Sequence, residues 1–109
     1  NSLLAVSVRD CSRYGSLRIN NGLVKEFMEK KLSKYPGWIN AGAYCLTSDV
    51  LTKYQTDEYT SMELDVLPEL VRENNLKVVK TKSNFIDIGI PEDYFKFCNW
   101  IELGRNHDL

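Results

Sequence analysis

The segment Phe85-Ile86-Asp87-Ile88-Gly89-Ile90-Pro91-Glu92-Asp93 holds the best-placed acid of the chain. A carboxylate near the end of an apolar run, before a glycine turn and a helix start, stands where α/β proteins gather ligands. Asp87 could there hold Mg²⁺, a hard ion that takes oxygen donors and is usually shared with substrate phosphates. It could equally do no more than accept turn N–H groups, as Asp often does. Glu29-Lys30-Lys31 forms a second set, in which a lysine can neutralise a phosphate as a compact point charge. The bland alternative is a solvated strand end. In a regular strand Glu29 and Lys30 point to opposite faces, so one site can use both only if the strand bends or ends there. In Asn40-Ala41-Gly42 small residues could let a sugar ring lie against the backbone, although tight packing of a helix explains them equally well. Tyr14-Gly15 is weaker, since a tyrosine at a strand start is ordinarily packing.

These residues need elements to position them. Residues 3–8 read as a buried strand, and 14–19 and 23–29 as a hairpin. Between the latter two, Asn20-Asn21-Gly22 suits a type I′ turn. Residues 38–46 are apolar on both faces, which predicts a central strand, with Gly42 marking a close approach to the backbone. Thr60 and Glu63 fit a capping box, followed by an apolar stripe of Met62, Val66 and Leu70 with Leu67 and Val71 beside them. Pro68 should kink or restart that helix. Short strands are expected at 76–81 and 84–88. Pro91 fits the first position of a last helix, with Glu92 and Asp93 at its positive end. Tyr94, Phe97, Cys98 and Ile101 would make its buried stripe, Gly104 its stop, and 105–109 a loose tail. The sum is an α/β fold with a mixed sheet of about six strands and two or three flanking helices.

Composition excludes several classes. Fourteen basic residues against 15 acidic ones give a net charge of −1, which removes the electrostatic case for a nucleic-acid binder. No apolar run approaches the roughly 20 residues of a membrane helix, so no membrane partner is expected. Nor do the first residues show the pattern of a secretory signal. Cys11, Cys45 and Cys98 are widely spaced, and the single histidine is His107, so no zinc-ligand spacing exists. Three free thiols, at least two of them packed as small apolar groups, point to a reducing, cytoplasmic compartment. The chain runs from Asn1 almost directly into an apolar strand, as an interior piece of a longer protein would.

Taken in order, several of these segments acquire a specific meaning. They are Tyr14-Gly15, the Asn20–Gly22 turn, Phe27-Met28-Glu29-Lys30, Ile39-Asn40-Ala41-Gly42-Ala43-Tyr44, Glu63-Leu64-Asp65-Val66-Leu67-Pro68 and the segment from Phe85 to Tyr94. Together, over residues 3–101, they resemble the C-terminal half of the sugar-phosphate nucleotidyltransferases, nearest the mannose- or heptose-1-phosphate guanylyltransferase branch. The resemblance implies a Rossmann-like domain of which residues 1–104 are the sugar-phosphate-binding portion. It implies joining of a nucleoside triphosphate, GTP favoured, to a sugar 1-phosphate with release of pyrophosphate. By the same resemblance Asp87 would be one of two carboxylates on a catalytic Mg²⁺, and Lys30 would hold the sugar's phosphate. Glu29 would accept hydrogen bonds from sugar hydroxyls, while Gly15, Asn40, Ala41 and Gly42 would line the sugar pocket.

Two departures bear on this. Lys31 stands where the family has proline, which affects the strand bend expected at Glu29 and Lys30. The family's Gly-rich nucleotide loop, its Pro-Lys pair and its first metal aspartate have no counterpart here. The expectation is therefore half an enzyme, inactive alone; a non-catalytic relative serving as a binding or regulatory module is the alternative. Strands buried on both faces would leave an unpaired edge, so a homo-oligomer is expected.

Overall fold

A computed structural model of the chain describes residues 1–105; His107 and the part of the expected tail at 106–109 lie outside the described residues. The apolar run at the start forms β1 (Ser2–Val8). The hairpin follows as β2 (Ser16–Asn20) and β3 (Leu23–Met28). Asn21 (φ 52°) and Gly22 (φ 73°) take the two left-handed positions that a type I′ turn requires. β4 (Gly37–Cys45) comes next, then helix α1 (Ser48–Lys53), which the sequence reading did not anticipate. It is only six residues long, and Thr47 makes no side-chain capping bond, so neither periodicity nor cap announces it.

A π-helical turn (Met62–Val66) leads into α2 (Leu67–Arg72), then β5 (Lys77–Thr81) and α3 (Pro91–Glu102). Pro68 lacks the N–H that would continue an α ladder, and the helix restarts around it as expected. The cap differs from the Thr60–Glu63 pair. Ser61 Oγ accepts from Leu64 N–H at 3.1 Å, and Asp65 Oδ2 accepts from Ser61 N–H at 2.8 Å. The wide turn, with Val66 N–H bonded to Ser61 carbonyl, moves the hydroxyl partner one residue along and the acid partner two.

The sheet is mixed, in the order β2-β3-β5-β1-β4. β1 runs parallel to β5 and antiparallel to β4, while β2 and β3 pair antiparallel. Leu3 and Ala5 of β1 face a core shared with Leu17, Val24, Val66, Leu67, Leu70 and Leu76. Val6 faces a smaller cluster with Cys11 and Ile39, against which Tyr14, Tyr35, Ala41 and Phe85 pack. Full burial of each such leucine or valine contributes about 1.5–3 kcal/mol.

Three expectations are corrected. β4 lies at the sheet edge among the described residues, and only Ile39 within it is buried. Its two apolar faces are accounted for differently, by Ile39 and Ala41 against the small cluster and by Trp38 and Tyr44 against the large one. Residues 84–88 form no strand. There Asp87 carbonyl accepts from Ile90 N–H at 3.1 Å, which curls the backbone into a turn instead of a ladder. Among the described residues the sheet therefore has five strands. On α3, finally, Tyr94 and Ile101 are exposed while Phe97 and Cys98 are half-buried, because among the described residues α3 packs extensively against no strand or other helix.

All three thiols are free, but only Cys11 is buried; Cys98 is half-buried and Cys45 exposed. Burial pushes the Cys11 thiol up from its ordinary range. Alkylation at mildly alkaline pH, followed by peptide mass mapping, should label Cys45 first and Cys11 last. Cys11 should react about 100-fold more slowly than Cys45, because it needs a local opening of the β1–β2 loop.

Candidate active site

The loop from β1 to β2 makes one helical turn. Tyr14 and Gly15 N–H groups both donate to Cys11 carbonyl, at 3.0 and 2.9 Å, and Cys11 N–H donates to Tyr35 carbonyl at 2.7 Å. Gly15 closes the turn at φ +74°. A Cβ there would stand 2.7 Å from Met28 carbonyl oxygen and 3.9 Å from Lys30 Cγ. Gly15 thus lets the loop lie directly on the end of β3, which stops at Met28. Because the strand has ended, Glu29 and Lys30 are free of strict alternation.

Next to this loop opens a cleft of about 380 Å³ lined by Arg13, Tyr14, Phe27, Lys30, Asn40, Glu63, Leu67, Phe85 and Asp87. Of the residues singled out in the sequence, the cleft brings together Lys30, Asn40 and Asp87. Glu29, Gly15, Ala41 and Gly42 do not line it. Glu29 is exposed, Gly15 supports the loop, and Ala41 packs in the smaller core. Gly42 sits at φ +80° in a bulge where residues 41–43 oppose Leu4 alone. Nothing lies within 4 Å of the place its Cβ would occupy, so it serves the bulge conformation and not a close approach. Asn40 spans that bulge, accepting from Gly42 N–H and donating to Tyr44 hydroxyl, both at 2.8 Å.

Asp87 makes the turn contact that its sequence position allows. Its Oδ1 accepts from Gly89 N–H at 2.9 Å, an Asx turn, and the residue still lines the cleft. Among the described residues no three His, Cys, Asp or Glu side chains cluster to form a metal cage. Mg²⁺ binds through one or two carboxylates plus substrate phosphates and waters. The donor set here fits Mg²⁺ only in that shared form, with Asp87 as one ligand.

Arg13 and Glu63 are cleft residues the sequence reading did not assign. Arg13 belongs to no motif of its own, and Glu63 reads from sequence as part of a capping box that Ser61 and Asp65 make instead. Arg13 Nη1 donates to Asp93 Oδ1 at 3.2 Å, and Tyr14 hydroxyl to Asp93 Oδ2 at 3.4 Å. Burial, then the neighbouring Asp93 charge, push the Tyr14 phenol up, so it stays a neutral donor. A second cleft of about 580 Å³, with Arg9, Asp10 and Lys82 on its walls, adjoins the first through Arg13, Tyr14 and Phe85. Two cations and two carboxylates thus face the first cleft, an arrangement suited to a polyhydroxylated, phosphorylated ligand.

Comparison with known proteins identifies the family. The family model described as nucleotidyl transferase matches residues 1–102. The chain is 33% identical over 90 residues to the D-glycero-alpha-D-manno-heptose 1-phosphate guanylyltransferase of Campylobacter jejuni, covering 83% of this chain and 40% of that protein. It is 31% identical over 94 residues to the mannose-1-phosphate guanylyltransferase catalytic subunit beta of Drosophila melanogaster, covering 85% of this chain and 25% of the relative. The crystal structure of HddC from Yersinia pseudotuberculosis, complexed with GMP-PN, superposes with a TM-score of 0.75 at 41% identity. That match covers 92% of this chain and 43% of HddC. The chain thus spans less than half the length of these relatives.

Gly15→Ala tests the seat of the loop. The left-handed backbone and the contact with Met28 carbonyl should together cost about 2 kcal/mol or more. A lowered urea midpoint with an unchanged slope is the expected reading, while an unchanged midpoint would mean the loop does not sit on β3.

Proposed function

Since the chain belongs to the nucleotidyl transferase family, we propose that it supplies the sugar 1-phosphate side of a nucleotidyl transfer and corresponds to the C-terminal, sugar-phosphate-binding portion of its relatives. The observation that carries this reading is the single cleft gathering Lys30, Asn40 and Asp87 from three separate segments. The names of the relatives favour a mannose or heptose 1-phosphate as the sugar and guanosine as the nucleoside.

In the reaction a phosphate oxygen of the sugar 1-phosphate attacks the α-phosphorus of the triphosphate. The bond from that phosphorus to the bridging oxygen breaks, and pyrophosphate leaves. The residues of this chain act by position and charge. Lys30 balances the sugar's phosphate, while Arg13 lines the same cleft with its charge paired to Asp93. Glu63 and Asn40 offer acceptors and a donor to sugar hydroxyls, and Phe27, Phe85 and Leu67 provide apolar walls. Asp87 is the residue that would hold Mg²⁺, which when bound supplies positive charge to the phosphate oxygens.

Titration of the chain with mannose 1-phosphate and heptose 1-phosphate, with and without Mg²⁺, tests the assignment. Lys30→Met should weaken binding about tenfold or more, the worth of one charge-assisted contact. Asp87→Asn should remove the gain from Mg²⁺ and leave metal-free binding intact. Wild-type affinity in both variants would overturn the reading.

The same reading keeps a homo-oligomer as the state of the isolated chain. β2 and β4 are sheet edges among the described residues, and Val79, Ile88, Tyr94 and Phe95 are exposed. Light scattering at micromolar concentration should give a mass above 12.6 kDa; a stable monomer would refute self-association.

A further inference from the structure

We propose that Asp93 is a positioning residue for Asp87, holding the Asp87 turn against the β1–β2 loop through Arg13 and Tyr14. At 6% exposure it is the only buried charged residue among those described. A first-turn acid that merely complements a helix dipole stays in solvent. Asp93 is instead withdrawn from water onto two donors about 80 residues away in the chain, Arg13 Nη1 at 3.2 Å and Tyr14 hydroxyl at 3.4 Å. Burying a carboxylate is unfavourable unless such partners compensate it.

The contact bears on Asp87 by its place in the chain. Phe85 lies just before Asp87, and its ring meets Tyr14 edge to face with centroids 5.7 Å apart. Asp93 lies just after the turn. The same Arg13-Tyr14 pair therefore grips the 85–93 segment on both sides of Asp87. Among the described residues α3 makes no extensive packing against a strand or another helix, and Tyr94 and Phe95 are exposed. The turn itself is local, closed by the Gly89 and Ile90 N–H groups on Asp87. Local bonds shape a turn; they do not place it beside Lys30 and Asn40.

The functional meaning of this grip rests on the sugar-phosphate reading of the cleft, but its test need not. Amide hydrogen exchange is read on the ligand-free chain. In Asp93→Ala the Gly89 and Ile90 amides should exchange about tenfold faster or more, with the β1–β5 ladder unchanged and Asp93→Glu restoring part of the protection. Arg13→Gln removes the grip from the other side and should give the same local pattern, so it decides the matter if Asp93→Ala does not fold. Unchanged rates at Gly89 and Ile90, or equal acceleration of turn and ladder, would overturn the proposal. Titration of the same variants with mannose 1-phosphate and Mg²⁺ separates the two readings. Faster exchange with a lost Mg²⁺ gain supports both, whereas faster exchange with the Mg²⁺ gain intact supports the positioning of Asp87 and removes its assignment to the metal.

Discussion

β1 is the strand on which the arrangement depends, because it is hydrogen-bonded along both edges and buries residues on both faces. Its parallel partner is β5. Parallel strands end on the same side of a sheet, so the loop after β1 and the segment after β5 emerge together. The first carries Arg13 and Tyr14, the second Phe85, Asp87 and Asp93. Antiparallel β4 starts on that same side, with Gly37 opposite Val8, and brings Asn40 within reach. One pairing choice thus assembles a cleft from residues that are remote in the chain.

The charges around the cleft are managed by division of labour. Asp93 is neutralised by Arg13 and takes little part in the open space, while Lys30 and Asp87 face it. Elsewhere, Lys53 and Tyr54 of the α1 region both donate to Glu69 on α2, hold its carboxyl below the ordinary range, and tie the two helices together away from the cleft. Lys80 lies 5.0 Å over the half-buried Trp38 ring, at the margin of the large core.

The residues that were legible in advance were those whose local chemistry allows one outcome. The Asn21-Gly22 turn, the start of α3 at Pro91 and the restart at Pro68 all came out as local rules require. Lys30, Asn40 and Asp87 were likewise visible, since a lysine at a strand end and an acid before a glycine turn stand out by type and place. Arg13 and Asp93 were not. An arginine in a loop and an acid in a first helical turn have ordinary solvent roles, and only their meeting across the fold gives them another. Gly42 stands out in the sequence without revealing its cause, because a bulge and a close approach both select glycine.

The sequence by itself determined the alternation of strands and helices, the hairpin, and the mixed character of the sheet. These follow from side-chain period, turn conformation and the missing N–H of proline, all of which act within a few residues. It did not determine that β4 would stand at an edge, that residues 84–88 would curl instead of pair, or that Asp93 would be buried. Those outcomes were decided by which strand pairs with which. Backbone hydrogen bonds between strands carry no record of side-chain identity, so strand order emerges only when the whole chain satisfies its bonds and buries its core at once.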